Sequence, residues 1–197
     1  RQTHDQAIMI AFGANLFEWA CYLRRMDHFL MDLVTEPAKA EALLDRLVEI
    51  HLAGLERLLP AVRDEVDLIQ LGDDLGTQKG PTFSPALFRK YFKPRYQIIT
   101  RRIKQLAPNI RIFLHCCGGV YPLIHDLAEA GFEVLNPVQI AARDMDPARL
   151  KREFGNRIVF YGLLFGQLGL VAWLSGLVGS MSARTASVVF LLYSALT

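Results

Sequence analysis

Residues 110–137, IRIFLHCCGGVYPLIHDLAEAGFEVLNP, carry the fold in one stretch. Ile110 to Leu114 is a short apolar run with β-branched members, the pattern of a buried strand. Gly118-Gly119 turns the chain, Tyr121 to Ala130 is helical with Gly131 as its stop, and Phe132 to Leu135 is a second strand ending at Asn136-Pro137. A helix between two strands in so short a span is a crossover, so the strands run parallel and the connection is right-handed.

The same alternation extends in both directions. Upstream, Val66 to Leu71 reads as a strand that ends in the turn Gly72-Asp73-Asp74-Leu75-Gly76. Ser84-Pro85 then opens a helix with Phe88, Phe92, Ile99, Ile103 and Leu106 on one face and Pro94 as a kink. Further upstream, Asn15 to Val34 is helical with a break near Arg24-Arg25, and Thr35-Glu36-Pro37 starts another helix. Leu44, Leu47, Val48, His51, Leu55 and Leu58 give that helix one buried stripe running to about Pro60. Downstream, Asp146-Pro147 begins a helix to Phe154, Gly155 stops it, and Arg157 to Tyr161 is a fourth strand. Strands alternating with helices imply an α/β barrel or an open doubly wound sheet. No Gly-x-Gly-x-x-Gly and no phosphate-binding lysine loop follows a strand, which favours the barrel. A complete eight-stranded barrel needs roughly 250 residues, and the chain has 197. The expectation is a partial (β/α)8 barrel of about four βα units over residues 1–161.

With 22 basic and 20 acidic residues, the chain carries a formal charge of +2 and no electrostatic footprint for nucleic acid. Cys116 and Cys117 are adjacent and Cys21 is left over, so no disulfide framework is implied and a reducing, cytoplasmic setting is expected for residues 1–161. The chain opens on Arg1 with no charged-then-apolar leader, so no secretory signal is expected.

Chemistry in such folds gathers where strands end. The ends are Asp73-Asp74, His115-Cys116-Cys117, Asn136 and Tyr161-Gly162. Side chains alternate across a strand, so His115 and Cys117 project to one side and Cys116 to the other. An imidazole and a thiolate that converge are half of a tetrahedral zinc site. No cysteine follows Cys117, and His125 belongs on an outward helix face, so a third ligand is expected from a segment this chain lacks. The competing account is structural: His115 closes a strand by hydrogen bonding, and both cysteines are small buried groups. Asp73 and Asp74 put two like charges on one loop, which can split their pKa values and leave one as a general acid or acceptor. An Asp-rich turn chosen for its backbone fits as well. Gln78, Asn136 and Gln139 are candidates to orient a polar substrate, although Asn-Pro is also ordinary loop punctuation.

Four colinear segments, DLVTEPAKAEALLDRLVE (32–49), VDLIQLGDDLGTQKGPTFSPALFRKYFKPRY (66–96), FLHCCGGVYPLIHDLAEAGFEVLNPVQ (113–139) and MDPARLKREFGNRIVFYG (145–162), resemble the uroporphyrinogen decarboxylase family. The resemblance covers nearly all of residues 12–162 and implies an eight-stranded barrel. The family contains the decarboxylases of haem biosynthesis and zinc-dependent methyltransferases that move a methyl group from a corrinoid protein to a small-molecule thiol. The His-x-Cys strand end resembles the methyltransferase branch, whose ligands are that His, that Cys and a second Cys nearer the C-terminus. The resemblance thus implies zinc on His115 and Cys117, with a corrinoid as methyl donor. The rim carries Asp73 and Asp74 and no arginine at a strand end, whereas a polycarboxylate porphyrinogen calls for a basic pocket. The decarboxylase is therefore the second reading.

From Gly162 the composition changes. Residues 158–183 contain no charge, and LLFGQLGLVAWLSGLVG (163–179) is long enough to begin a membrane span. Residues 162–197 are therefore expected to form a hydrophobic, transmembrane helical segment, and GQLGLVAWLSGLVGSMSARTASVVFLLYSALT (166–197) resembles part of the Bax inhibitor family of membrane proteins. A cytosolic half-barrel joined to a membrane fragment forms no obvious unit. The third reading is an inactive, membrane-associated fusion fragment.

Overall fold

The computed structural model describes residues 6–164. Within them, five strands form one sheet: β1 (Met9–Gly13), β2 (Leu68–Gly72), β3 (Arg111–His115), β4 (Val134–Asn136) and β5 (Val159–Phe160). They lie side by side in chain order, and every adjacent pair is parallel. A doubly wound sheet reverses its order at a switch point, whereas a barrel adds each strand beside the last. The monotonic order therefore places this sheet with the barrels, as an arc of five successive strands. Four of the five match the expected ones. β1 is the addition; only Ala11 within it is exposed, so it lacks the alternation that marks a half-buried strand.

The helices are α1 (Phe17–Arg24), α2 (Met26–Thr35), α3 (Pro37–Val62), α4 (Lys93–Leu106), α5 (Ile124–Glu129) and α6 (Pro147–Phe154). Arg25, at φ 68°, separates α1 from α2 in a left-handed conformation that no helix continues through. α3 buries Ala40, Leu44, Leu47, Val48, His51, Leu55 and Leu59. Leu59, not Leu58, closes the stripe. Pro94 does not kink a continuous helix: Pro85–Leu87 leads into a π-turn at Phe88–Phe92, after which Pro94 falls in the first turn of α4, where its missing N–H is harmless.

Aromatic packing ties the N-terminal helices to this segment. Phe83 stacks on Phe92 at 4.7 Å, Phe17 meets Phe83 edge-on at 5.2 Å, and the Tyr91 hydroxyl donates to the Leu33 carbonyl at 2.7 Å. The three rings and Tyr91 are almost wholly buried, each contributing roughly 1.5–3 kcal/mol of apolar burial. They fix α1, and with it the loop beyond β1, on the rim where the strands end.

No described helix is long and apolar enough to cross a membrane. The expected helical tail starts at Gly162, where the structure instead has a short strand, Leu163–Leu164; the rest of that tail, with its Bax inhibitor likeness, lies beyond residue 164, outside the described residues.

Candidate metal centre at the strand ends

Register assembles the site. Gly72 of β2 stands opposite His115 of β3, and His115 opposite Asn136 of β4, so three consecutive strands finish at one level. The ladder continues past them, with Asp73 N donating to His115 O at 3.0 Å and Cys116 N to Asn136 O at 2.6 Å.

At that level the period-two alternation of β3 sorts its last residues. The Cys116 sulfur is fully buried and accepts from Leu75 N at 3.4 Å. His115 and Cys117 are half-buried, with Nε2 and Sγ 3.5 Å apart. A zinc ion with Zn–S of about 2.3 Å and Zn–N of about 2.0–2.1 Å at the tetrahedral angle separates its two donors by roughly 3.6 Å, so the pair already stands at the edge length of a zinc tetrahedron. Asn136 sets the tautomer. Its Nδ2 donates to Tyr161 O at 3.0 Å, which turns Oδ1 toward His115 Nδ1 at 2.8 Å. Nδ1 therefore carries the proton and Nε2 presents its lone pair toward Cys117, the arrangement that metal-binding histidines require.

The two acids of the Asp-Asp turn part company. Asp74 stays at the rim: its Oδ1 accepts from Cys117 N at 2.8 Å, and a carboxylate oxygen, His115 Nε2 and Cys117 Sγ all lie within 4.8 Å of one another. Asp73 turns inward and is fully buried. Its Oδ2 accepts from Leu16 N and Phe17 N, each at 2.7 Å, and from the Tyr96 hydroxyl at 2.5 Å, while Oδ1 accepts from Glu18 N at 2.8 Å. Asp73 thus caps the first turn of α1, whose N–H groups have no partner within the helix. Burial pushes its carboxyl up to about 7, against the pull of those four donors.

The loops that hold Asp74 and Cys117 touch through backbone alone. A Cβ on Gly118 would lie 2.3 Å from the Gly76 carbonyl carbon, and Gly118 has φ +89°. Only glycine permits that approach. Gln139 Oε1 accepts from Gly118 N at 2.8 Å and pins the same loop. Gln78 is exposed on the hairpin that follows; its carbonyl accepts from Arg143 N, and no described contact joins its side chain to the cluster. Asn136 and Gln139 thus spend their described hydrogen bonds on positioning protein groups.

Glu18 escaped the sequence reading. It lies on α1 with Oε2 accepting from Asn15 Nδ2 at 2.5 Å and from Asp74 N at 3.3 Å. No motif flags it; its place on the rim follows from the Asp73 cap that seats α1. Burial, then Asp74, then Glu18 push the Cys117 thiol up to about 12. Among the described residues no lysine or arginine pairs with Asp74 or Cys117, so these donors are of a type and charge suited to a cation.

The uroporphyrinogen decarboxylase (URO-D) family model matches residues 1–168. The chain belongs to the uroporphyrinogen decarboxylase family. The family match continues to residue 168, past the Gly162 at which the sequence resemblance stops. A methyltransferase from Methanosarcina mazei has a similar structure, with a TM-score of 0.57 and 23% identity over 81% of this chain. The chain spans 43% of the length of that methyltransferase. No curated protein matches the chain. For a family member of this length, the likeness establishes a shared fold, and the strand-end chemistry must speak for the reaction.

Proposed function

We propose that this chain carries the catalytic rim of a zinc-dependent methyltransferase that moves a methyl group from a corrinoid protein to a small-molecule thiol. The observation that carries the reading is the 3.5 Å approach of His115 Nε2 to Cys117 Sγ, with the imidazole oriented by Asn136. His115 and Cys117 would hold the metal. Zinc bound there would supply a thiolate nucleophile at neutral pH by lowering the pKa of an incoming thiol.

The chain's own groups do the rest. Asn136 keeps the imidazole lone pair aimed at the site, Gln139 and the Gly76–Gly118 contact keep Cys117 beside it, and the carboxylates of Asp74 and Glu18 stand ready to accept the thiol's proton. The structural likeness to a methyltransferase supports the same branch. A porphyrinogen decarboxylase needs cationic groups for its carboxylates, yet the residues directly after the described strand ends include Asp73 and Asp74 and no arginine or lysine. The test uses a full-length family member with the same His-x-Cys strand end. Replacing that His by Ala or that Cys by Ser is expected to remove zinc and thiol methylation together; unchanged zinc content overturns the assignment.

A further inference from the structure

We propose that Glu18 is the base that takes the proton from the substrate thiol, and that Asn15 is its positioning residue. The proposal rests on the methyltransferase reading above and deepens it by separating the two carboxylates at the rim. Asp74 serves Cys117: its Oδ1 accepts from Cys117 N at 2.8 Å, and its carboxylate stands within 4.8 Å of the His115 and Cys117 donor atoms. Glu18 stands outside that trio but against it, since its Oε2 accepts from Asp74 N at 3.3 Å and its charge is felt at the Cys117 thiol.

Glu18 is held at both ends. Its backbone N donates to Asp73 Oδ1 at 2.8 Å, so the buried cap fixes where the side chain leaves α1. Its Oε2 takes a second donor, Asn15 Nδ2 at 2.5 Å, while its Oε1 accepts no described hydrogen bond. One oxygen anchored and the other left with its lone pairs is the arrangement of a preorganised base. Asn15 is in turn fixed from three sides. Gly13 at φ 85° and Ala14 at φ 54° turn the chain left-handed between β1 and α1, a conformation strained for a residue with a side chain. His51 Nε2, buried on α3, donates to the Asn15 carbonyl at 3.1 Å; a carbonyl only accepts, so that nitrogen carries the proton. A Cβ on Gly72 would lie 3.1 Å from Asn15 Nδ2, so the glycine that ends β2 makes room for this amide. In the step assigned to Glu18, the thiol S–H bond breaks, its electron pair stays on the substrate sulfur, and an O–H bond forms at Oε1.

The test uses a full-length family member with the same His-x-Cys strand end and a glutamate at the place of Glu18, loaded with cobalt(II). Thiol binding is read by stopped flow as growth of the thiolate-to-cobalt absorption band, independent of methyl transfer. Two probes differ in whether a proton must leave: β-mercaptoethanol is protonated at neutral pH, and pentafluorothiophenol is ionised. Glu18→Gln is expected to slow the band about 100-fold with the first probe and to leave it unchanged with the second. Equal slowing with both means that Glu18 only shapes the pocket and overturns the proposal; no slowing with either overturns it and leaves the His115–Cys117 pair standing. Wild type that shows no added thiolate band with either probe overturns the metal reading and the proposal together. Asn15→Ala keeps the glutamate and removes its donor, so it is expected to slow only the protonated thiol, by about 5- to 10-fold. No loss, or an equal loss with both probes, overturns the part of Asn15. Should Glu18→Gln fail to fold, as judged by circular dichroism, the two probes on Asn15→Ala decide the proposal.

Discussion

Two clusters in this chain draw on similar donors and differ in almost everything else. At the strand ends stand Asp74, His115 and Cys117; on α5 stand His125, the buried Asp126, and Glu129, and in each group the donor atoms lie within 4.8 Å of one another. The outer cluster is already neutralised. Asp126 accepts from Arg89 at 2.9 Å and Lys93 at 2.7 Å, Glu129 accepts from Lys93 at 2.5 Å, and His125 meets Arg157 at 2.8 Å. The rim cluster receives backbone and amide donors and no described cation. Donor type alone therefore does not distinguish the two clusters; what does is that the rim groups have no described cation beside them and are held by a rigid second layer, the setting that metal ligands need.

The sharpest way to break this comparison is to remove one histidine from each cluster. His115→Ala is expected to abolish zinc binding by the chain, measured by equilibrium dialysis, and His125→Ala to leave it unchanged. Zinc lost in the second variant and kept in the first would reverse the assignment of the two regions.

Next in size is the contact that builds the rim. Gly118→Ala places a Cβ 2.3 Å from the backbone of Gly76 at a φ of +89°, so one loop must move. The expected cost is about 3 kcal/mol of stability, together with loss of zinc binding because Cys117 leaves Asp74. A variant that melts like wild type would show that the loops yield freely.

How much of this was legible in the sequence differs residue by residue. His115 and Cys117 sit two apart in a strand, and alternation alone places them on one side with Cys116 on the other. The four strands that follow helices were legible for the same reason, since local periodicity reports burial. Asp73 and Asp74 were not separable, because what parts them is a contact with Leu16, Phe17 and Glu18, 55 to 57 residues away in the chain. Glu18 was invisible on the same ground. β1 was missed because its burial is incomplete on both faces, which leaves no period to read.

Asp73 supplies the third test, of the capping role against the rim role of its neighbour. Asp73→Asn keeps one acceptor oxygen but turns the other into a donor facing donors, for an expected loss of about 2 kcal/mol, while zinc binding changes little. The pH dependence carries its own sign. The folded carboxyl titrates near 7 instead of 3.8, so between those values the folded state holds a proton that the unfolded chain has released. The contribution of this group to stability is greatest below pH 3.8 and falls as pH rises to 7. The cost of Asp73→Asn should therefore shrink from pH 4 to pH 8, as read by chemical denaturation at each pH. A cost that grows with pH would mean that the capping carboxylate is ionised throughout.

The smallest effect belongs to the outer cluster. Lys93→Ala removes the cation shared by Asp126 and Glu129, but Arg89 stays on Asp126. Burial draws the Asp126 carboxyl upward, and the hydrogen bonds from Lys93 and Arg89 outweigh it and hold the group below its ordinary 3.8. A depressed carboxylate lends stability above its ordinary pKa and loses it as pH falls through the lower folded value. The expected cost of Lys93→Ala is about 1 kcal/mol at pH 7, reduced by salt and lost as pH falls through the depressed carboxyl's own range. This dependence runs opposite to that of Asp73, so the two variants measured across one pH series separate a carboxyl buried among neutral donors from one buried against cations. If added zinc were to stabilise the Lys93→Ala variant more than the wild type, freeing the anions of α5 would have created a second metal site. That result would make the missing cation alone, without the orienting layer of the rim, sufficient for binding.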